Sequence, residues 1–172
     1  MITCALIGIG YWGTKLKRYI ESSPYFHLKY ICNSKSDLNE VWKDKEVKAV
    51  IIATPNETHY DIASSALMYN KHVLCEKPLA LTQAQCEKLE LLARNRHLKI
   101  LTDYTFTFSR SLQKIKELIK GKEVGTIRSI TVSWKQLGRF GKNDVYWLLG
   151  SHALSVINMF VPLKKLWWER RD

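Results

Sequence analysis

The chain opens on an apolar run, Ala5-Leu6-Ile7, that passes directly into Gly8-Ile9-Gly10-Tyr11-Trp12-Gly13 and then into a basic, helix-compatible stretch from Thr14 to Ile20. Three glycines at this spacing restrict the chain to a strand, a sharp turn and a helix lying close against the strand it left. The first glycine turns the chain, the second removes a side chain so that backbone amides can approach an anion, and the third lets helix and strand pack closely. A helix that starts here aims its N–H groups and its partial positive charge at the turn. Such a turn serves either as a cradle for the phosphates of a dinucleotide or as a tight connection with no ligand. The segments behind it decide.

Those segments alternate. Short apolar runs at Thr3 to Ile9, His27 to Cys32, Ala49 to Ala53, His72 to Cys75 and Lys99 to Thr102 read as strands. Helical stretches follow at Tyr11 to Ser22, Asp37 to Lys43 and, after Pro55, Glu57 to Asn70. Thr82 and Gln85 form a T-x-x-Q capping box, and the helix behind it sets Cys86, Leu89, Leu92 and Ala93 on one stripe. This alternation predicts an α/β fold: a doubly wound parallel sheet of the Rossmann type.

After Thr102 the pattern changes. A helix from Ser109 to Lys120, with Leu112, Ile115, Leu118 and Ile119 inward, ends near Gly121. Ile130, Val132 and Trp134 then alternate with Ser129, Thr131 and Ser133, as in a strand of an open antiparallel sheet with one buried and one polar face. We therefore expect a first domain over 1–121 and part of a second α/β domain over 122–172. The second would hold one strand, Arg128 to Lys135, and one helix, Val145 to Phe160, too little for a core of its own.

Composition narrows the function classes. The longest strongly apolar run, Lys48 to Ala53, is far short of the ~20 residues of a membrane helix. The start lacks a signal peptide's basic region and cleavage site. A soluble, cytoplasmic protein without a membrane partner is expected. Four cysteines show no C-x-x-C pair, and Cys4, Cys32 and Cys75 fall in strands, so core thiols are expected rather than disulfides or metal ligands. The formal charge of +11 comes from scattered residues. Lys114, Lys116, Lys120 and Lys122 share one helix and its exit, and Lys164, Lys165, Arg170 and Arg171 crowd the end of the chain. With no aromatic-interleaved RNA motif beside them, they read as a solvated face that also favours an anionic small ligand, rather than as a nucleic-acid site.

In a doubly wound sheet, ligands bind beyond the carboxyl ends of the strands. After Ile52, Thr54 and Asn56 offer hydrogen bonds, and Asn56 can cap the next helix. After Cys75, Glu76-Lys77-Pro78 sets a charged pair at a strand end. A lysine beside a glutamate there can assist proton transfer at a substrate hydroxyl, because burial and neighbours retune its pKa; taken alone, the pair is also a surface ion pair. About 20 residues past the glycine turn, NAD-preferring enzymes carry an acid for the ribose 2′-hydroxyl. Here stand Asn33, Ser34 and Lys35, which tolerate and can favour the extra phosphate of NADP, although Asn33 can also bind a bare ribose.

Taken together, Gly8 to Gly13, Ala53 to His59 and Val73-Leu74-Cys75-Glu76-Lys77-Pro78-Leu79-Ala80 resemble the glucose-fructose oxidoreductase and inositol dehydrogenase family, Gfo/Idh/MocA, with the E-K-P tripeptide the specific part. Leu137-Gly138-Arg139-Phe140, with Asp144 and Trp147 to His152, resembles the branch acting on nucleotide-linked amino sugars. The resemblance covers essentially the whole chain, which is about half of a typical member. It implies NAD or NADP as cofactor, hydride transfer to or from a sugar or nucleotide-sugar carbon, and a homo-oligomer built through the second domain's sheet, here Arg128 to Lys135. It further implies that Gly8, Gly10 and Gly13 shape the turn while Tyr11 and Trp12 lend amides. Thr54, Asn56 and His59 would line the cofactor's path, and Glu76 and Lys77 would sit beside the nicotinamide ribose. Lys77 and His152 would act on the reacting hydroxyl.

Two departures bear on catalysis. Leu148 stands where the family commonly has an aspartate, and Ala153 replaces a frequent acid; losing such an orienting group typically costs ~10²–10⁴-fold in rate. The segment after Phe160, with Trp167 and Trp168, matches no strand of the family. A truncated chain, weak or inactive alone, is therefore expected, and the alternative is a dinucleotide-binding module that no longer catalyses.

Overall fold

Strands with apolar side chains on both faces are stable only between two helical layers. In the computed structural model, which describes residues 1–135 and 149–163, β1 (Ile2–Ile7), β3 (Ala49–Ile52) and β4 (His72–Glu76) meet that condition, while β2 (Phe26–Cys32) and β5 (Ile100–Asp103) are more exposed edge strands. They form one parallel sheet in the order β2-β1-β3-β4-β5. The helices are α1 (Tyr11–Glu21), α2 (Leu38–Lys43), α3 (His59–Met68), α4 (Gln83–Asn95), α5 (Arg110–Lys120) and α6 (Ser151–Phe160). The doubly wound parallel sheet expected from the sequence is present.

Alternate residues of each strand enter different cores. On one face, Ala5, Ile7, Val50, Ile52, Val73 and Cys75 pack with Val41 and Trp42 of α2, Ala63, Ala66 and Leu67 of α3, and Leu89 and Ala93 of α4. On the other, Cys4, Leu6 and Ile51 pack against Ile20, with Leu16 beside them, from α1. All four cysteines are free thiols, three of them buried. Thr82 caps α4 by accepting from Gln85 N–H at 3.3 Å, while Gln85 Oε1 accepts from Leu81 N–H at 3.2 Å, one residue ahead of the usual reciprocal position.

Some local expectations are corrected. The helix expected over Glu57 to Asn70 begins as a 3-10 turn, Asn56–Thr58, and becomes α-helical only at His59. Asn56 lies inside that turn and caps nothing; Pro55 precedes the turn, and neither start carries a side-chain cap. The strand expected over Arg128 to Lys135 is absent, because no described segment offers it a ladder. Its period survives as burial alone: Ile130, Val132 and Trp134 are half-buried and the residues between them exposed. It therefore gives no support to an oligomer paired through that strand. Ile115, expected inward, is 44% exposed on α5.

The chain divides into two compact units, one spanning Met1–Asp103 and one beginning at Tyr104. This division falls ahead of position 121 because α5 packs with α6 and with a 3-10 turn over Thr105–Phe108. Leu148, Asp144, Leu137 to Phe140 and residues 164–172, singled out from the sequence, lie outside the described residues. No described helix is long and apolar enough to cross a membrane.

Two features tie the first unit together. Gly8 has φ +96°, a conformation natural to glycine, and a Cβ there would sit 2.4 Å from Ala53 O. A Cβ on Gly13 would sit 2.0 Å from Gly8 O, so α1 can approach β1 only because both residues lack side chains. Far from this turn, Asp44 accepts from Lys29 Nζ at 2.7 Å, from Tyr30 Oη at 3.0 Å and from Glu46 N–H at 2.8 Å. Lys71, buried at 4% exposure, donates to the Asp44 and Val47 carbonyls, satisfying its charge where water is excluded.

Gly13→Ala is expected to lower unfolding stability by about 1–3 kcal/mol in urea titration, because the new methyl meets backbone that cannot yield. The Lys29 ammonium, with the Glu46 N–H, holds the Asp44 carboxyl down at about 2, against an ordinary 3.8. A depressed acid stabilises the fold above its ordinary value, and that contribution is lost as pH falls from 3.8 towards about 2. The urea midpoint should fall over that window, and Asp44→Asn should be less stable at pH 7 and fall less on acidification.

Candidate functional site

β2 and β3 leave β1 on opposite sides, so the chain reverses its direction of travel across the sheet between β1 and β3. A crevice beyond the carboxyl ends opens at such a switch point. Gly8 N–H donates to Cys32 O at 2.9 Å and Ala53 N–H to Ile7 O at 2.8 Å, which fixes the ends of β1, β2 and β3 at one level. The start of α1 faces this edge. Its cap is Gly10, without a side-chain cap bond, and its first turn has no acid. The first N–H groups of a helix have no intrahelical carbonyls to meet; here the first bond returns from Thr14 N–H to Gly10 O at 2.9 Å.

Gly10 differs from the other two glycines. A Cβ there would meet nothing within 4 Å, and its φ of −72° suits any residue. No described residue demands glycine at this position. The missing side chain matters only to something that approaches the amides from outside, and the residues of the turn fit a dinucleotide pyrophosphate in that respect. The Tyr11 and Trp12 side chains, each 55% exposed, stand edge to face at 5.3 Å, with Lys15 Nζ over both rings.

At the end of β2, Asn33, Ser34 and Lys35 are exposed in a side-chain-closed turn. Asn33 Oδ1 accepts from Lys35 N–H at 2.8 Å, and Asn33 N–H donates to Ser36 Oγ at 2.9 Å. With its carbonyl engaged, the Asn33 amide presents donors outward. Beyond β3, Thr54 and Asn56 are half-buried, and Thr58 Oγ1 lies 2.7 Å from both Thr54 Oγ1 and Pro55 O. His59 is displaced from its expected role. Its ring is fully buried, with Nδ1 2.7 Å from Pro78 O and Nε2 2.9 Å from Thr54 O. It does not line an open path; it ties the loop after β3 to the loop after β4.

That second loop carries Glu76 and Lys77. Glu76 Oε2 accepts from Lys77 N–H at 3.3 Å. Burial, and then the negative charge of Asp103, push the Glu76 carboxyl up to about 7, against the smaller pull of Lys77. Burial lowers the Lys77 ammonium, with Glu76 opposing. Asp103 was missed in reading the sequence, although it directly follows a predicted strand; β5 pairs it with Glu76 in register.

His152 belongs to the second unit. Its ring stacks on Trp134 at 5.7 Å and 20° and meets Phe106 edge to face at 5.1 Å and 83°. Phe106 and Trp134 are themselves 4.5 Å apart. Trp134 was expected on the buried face of its segment, whereas nothing in the sequence pointed to Phe106. Lys77, by contrast, lies in the first unit.

Residues 25–104 match the family model described as an oxidoreductase family with an NAD-binding Rossmann fold, Gfo/Idh/MocA. An uncharacterized oxidoreductase of Synechocystis sp. is 37% identical over 113 residues, 66% of this chain and 30% of that protein. Inositol 2-dehydrogenase of Salmonella typhimurium is 35% identical over 100 residues, 56% of this chain and 30% of that protein. The chain thus spans under a third of the length of these two relatives. Among solved structures, GenD2 from gentamicin A biosynthesis, in complex with NAD, aligns with a TM-score of 0.86 at 22% identity, over 92% of this chain and 53% of that one. The match over residues 25–104, with the E-K-P loop inside it and the glycine turn ahead of it, is to the Gfo/Idh/MocA oxidoreductase family.

Proposed function

We propose that this chain carries the nicotinamide-dinucleotide half of an oxidoreductase that moves hydride to or from a sugar carbon, free or nucleotide-linked. The observation that carries this reading is Gly10, a glycine at a helix start on the switch point that the protein's own packing does not require. Gly8, Gly10 and Gly13 would shape the pyrophosphate turn, with the Tyr11 and Trp12 amides turned to it. Asn33, Ser34 and Lys35 would meet the adenosine ribose, and Thr54 and Asn56 the middle of the cofactor. The nicotinamide ring supplies a hydride acceptor or donor when bound.

The chain's own groups would do the rest. Lys77, with its ammonium lowered by burial, is suited to hold and pass a proton at Nζ beside a reacting hydroxyl. Glu76 would hold the lysine loop through its backbone N–H. His152, in the second unit, would serve as an acid or base, its ring plane set by Phe106 and Trp134. Asn33 and Lys35 offer donors and a cation without an acid, which favours the 2′-phosphate of NADP over a bare ribose.

Titration with NADH and NADPH, followed by quenching of the six tryptophans, tests the reading. Saturable binding of at least one is expected, and its absence for both sinks the proposal. Gly10→Ala should weaken binding by about tenfold or more, roughly 1.4 kcal/mol, while leaving the urea midpoint unchanged. Lys35→Glu should turn preference from NADPH towards NADH by about tenfold, since it replaces attraction for the 2′-phosphate with repulsion.

A further inference from the structure

The carboxyl edge of the sheet is not uniform. At β1, β2 and β3 it presents backbone N–H groups, an amide and a lysine. At β4 and β5 it presents two carboxyl groups, Glu76 and Asp103, paired residue to residue by the strand register. Registered neighbours in parallel strands are about 4.8 Å apart and point to the same face. Two acids so placed cannot both ionise at their ordinary cost. Lys77 is the one cation acting on Glu76 among the described residues, and its N–H already donates to the Glu76 carboxylate.

We propose that Glu76 and Asp103 form a proton-holding pair that makes this end of the site discriminate between the oxidised and the reduced nicotinamide ring. This inference rests on the dinucleotide reading above. The oxidised ring carries a formal positive charge and the reduced ring none. Ionising Glu76 adds one negative charge at this end, which favours the oxidised ring. Protonating it removes that charge, and the preference fades. Asp103 is here a positioning residue that acts through Glu76 by keeping its proton on near neutral pH.

The groups surrounding Glu76 allow this assignment. β5 contributes Asp103, and the loop after β4 contributes Lys77. On the other side, β3 ends in Ile52 and Ala53, which do not titrate. α4 contributes Cys86, whose influence reaches Cys75 rather than Glu76, and α3 contributes His59, whose two ring nitrogens face the Pro78 and Thr54 carbonyls and not Glu76. Burial and Asp103 act in the same direction on Glu76, and its ionisation falls at about 7, inside a testable range.

The test measures affinity for the oxidised and the reduced form of whichever dinucleotide the chain binds, from pH 5.5 to 8.5, by tryptophan quenching. The preference for the oxidised form should rise with pH by about three- to tenfold, as one added charge at short range dictates. Glu76→Gln should abolish the rise, and Asp103→Asn should move its midpoint to lower pH. In the unsubstituted chain carrying ¹³C-labelled glutamate, one side-chain carboxyl should titrate near pH 7. Binding with a pH-independent preference, or no glutamate titrating near neutrality, overturns the pair while leaving dinucleotide binding standing. No saturable binding of either form overturns the dinucleotide reading, and this inference with it.

Discussion

The first unit depends on a contact that tolerates no side chain. Gly8 passes under the Ala53 carbonyl and Gly13 sits on Gly8, with Cβ positions 2.4 and 2.0 Å from backbone oxygens. That closeness brings α1 down onto β1, so that Leu16 and Ile20 can cover Cys4, Leu6 and Ile51. It also levels the ends of β1 and β3, from which the crevice follows. Packing and recognition thus share a turn but not a residue. Gly8 and Gly13 are needed by the fold, while Gly10 is left to whatever lies outside it.

The edge above that turn is electrically divided, and the division follows from the strand order. The helix start and Lys35 lie at the β1 and β2 ends, and Glu76 and Asp103 at the β4 and β5 ends. Backbone N–H groups suit the anionic middle of a dinucleotide, whereas the opposite end of such a molecule carries positive charge in one redox state. A sheet that reverses between β1 and β3 can present these two environments along one edge without any residue changing its strand. His59 lies between the middle of that edge and its acidic end, one buried ring whose nitrogens face carbonyls of the loops after β3 and β4.

Much of this was legible in the sequence, for reasons that differ by residue. Strands buried on both faces are nearly continuous apolar runs, so Ala49 to Ile52 and His72 to Cys75 were readable with small errors at the ends. The glycine turn announced itself because three positions each have a separate steric reason. His59 and Asp103 were less legible. A histidine beside Thr58 gives no sign that both ring nitrogens will face carbonyls nineteen and five positions away. Asp103 gains its meaning only from register with a strand some thirty residues earlier. Arg128 to Lys135 misled because alternation reports which side of a segment is covered, not whether it has a hydrogen-bonding neighbour. Here Trp134 is covered by aromatic rings, not by a sheet.

The same distinction bears on His152. A carboxylate partner would orient an imidazole and also draw positive charge onto it. Phe106 and Trp134 do the first without the second: one ring edge-on and one stacked fix a plane, and neither brings a formal charge. These rings set the plane of the imidazole by aromatic contact, a means of orientation that adds no charge of its own.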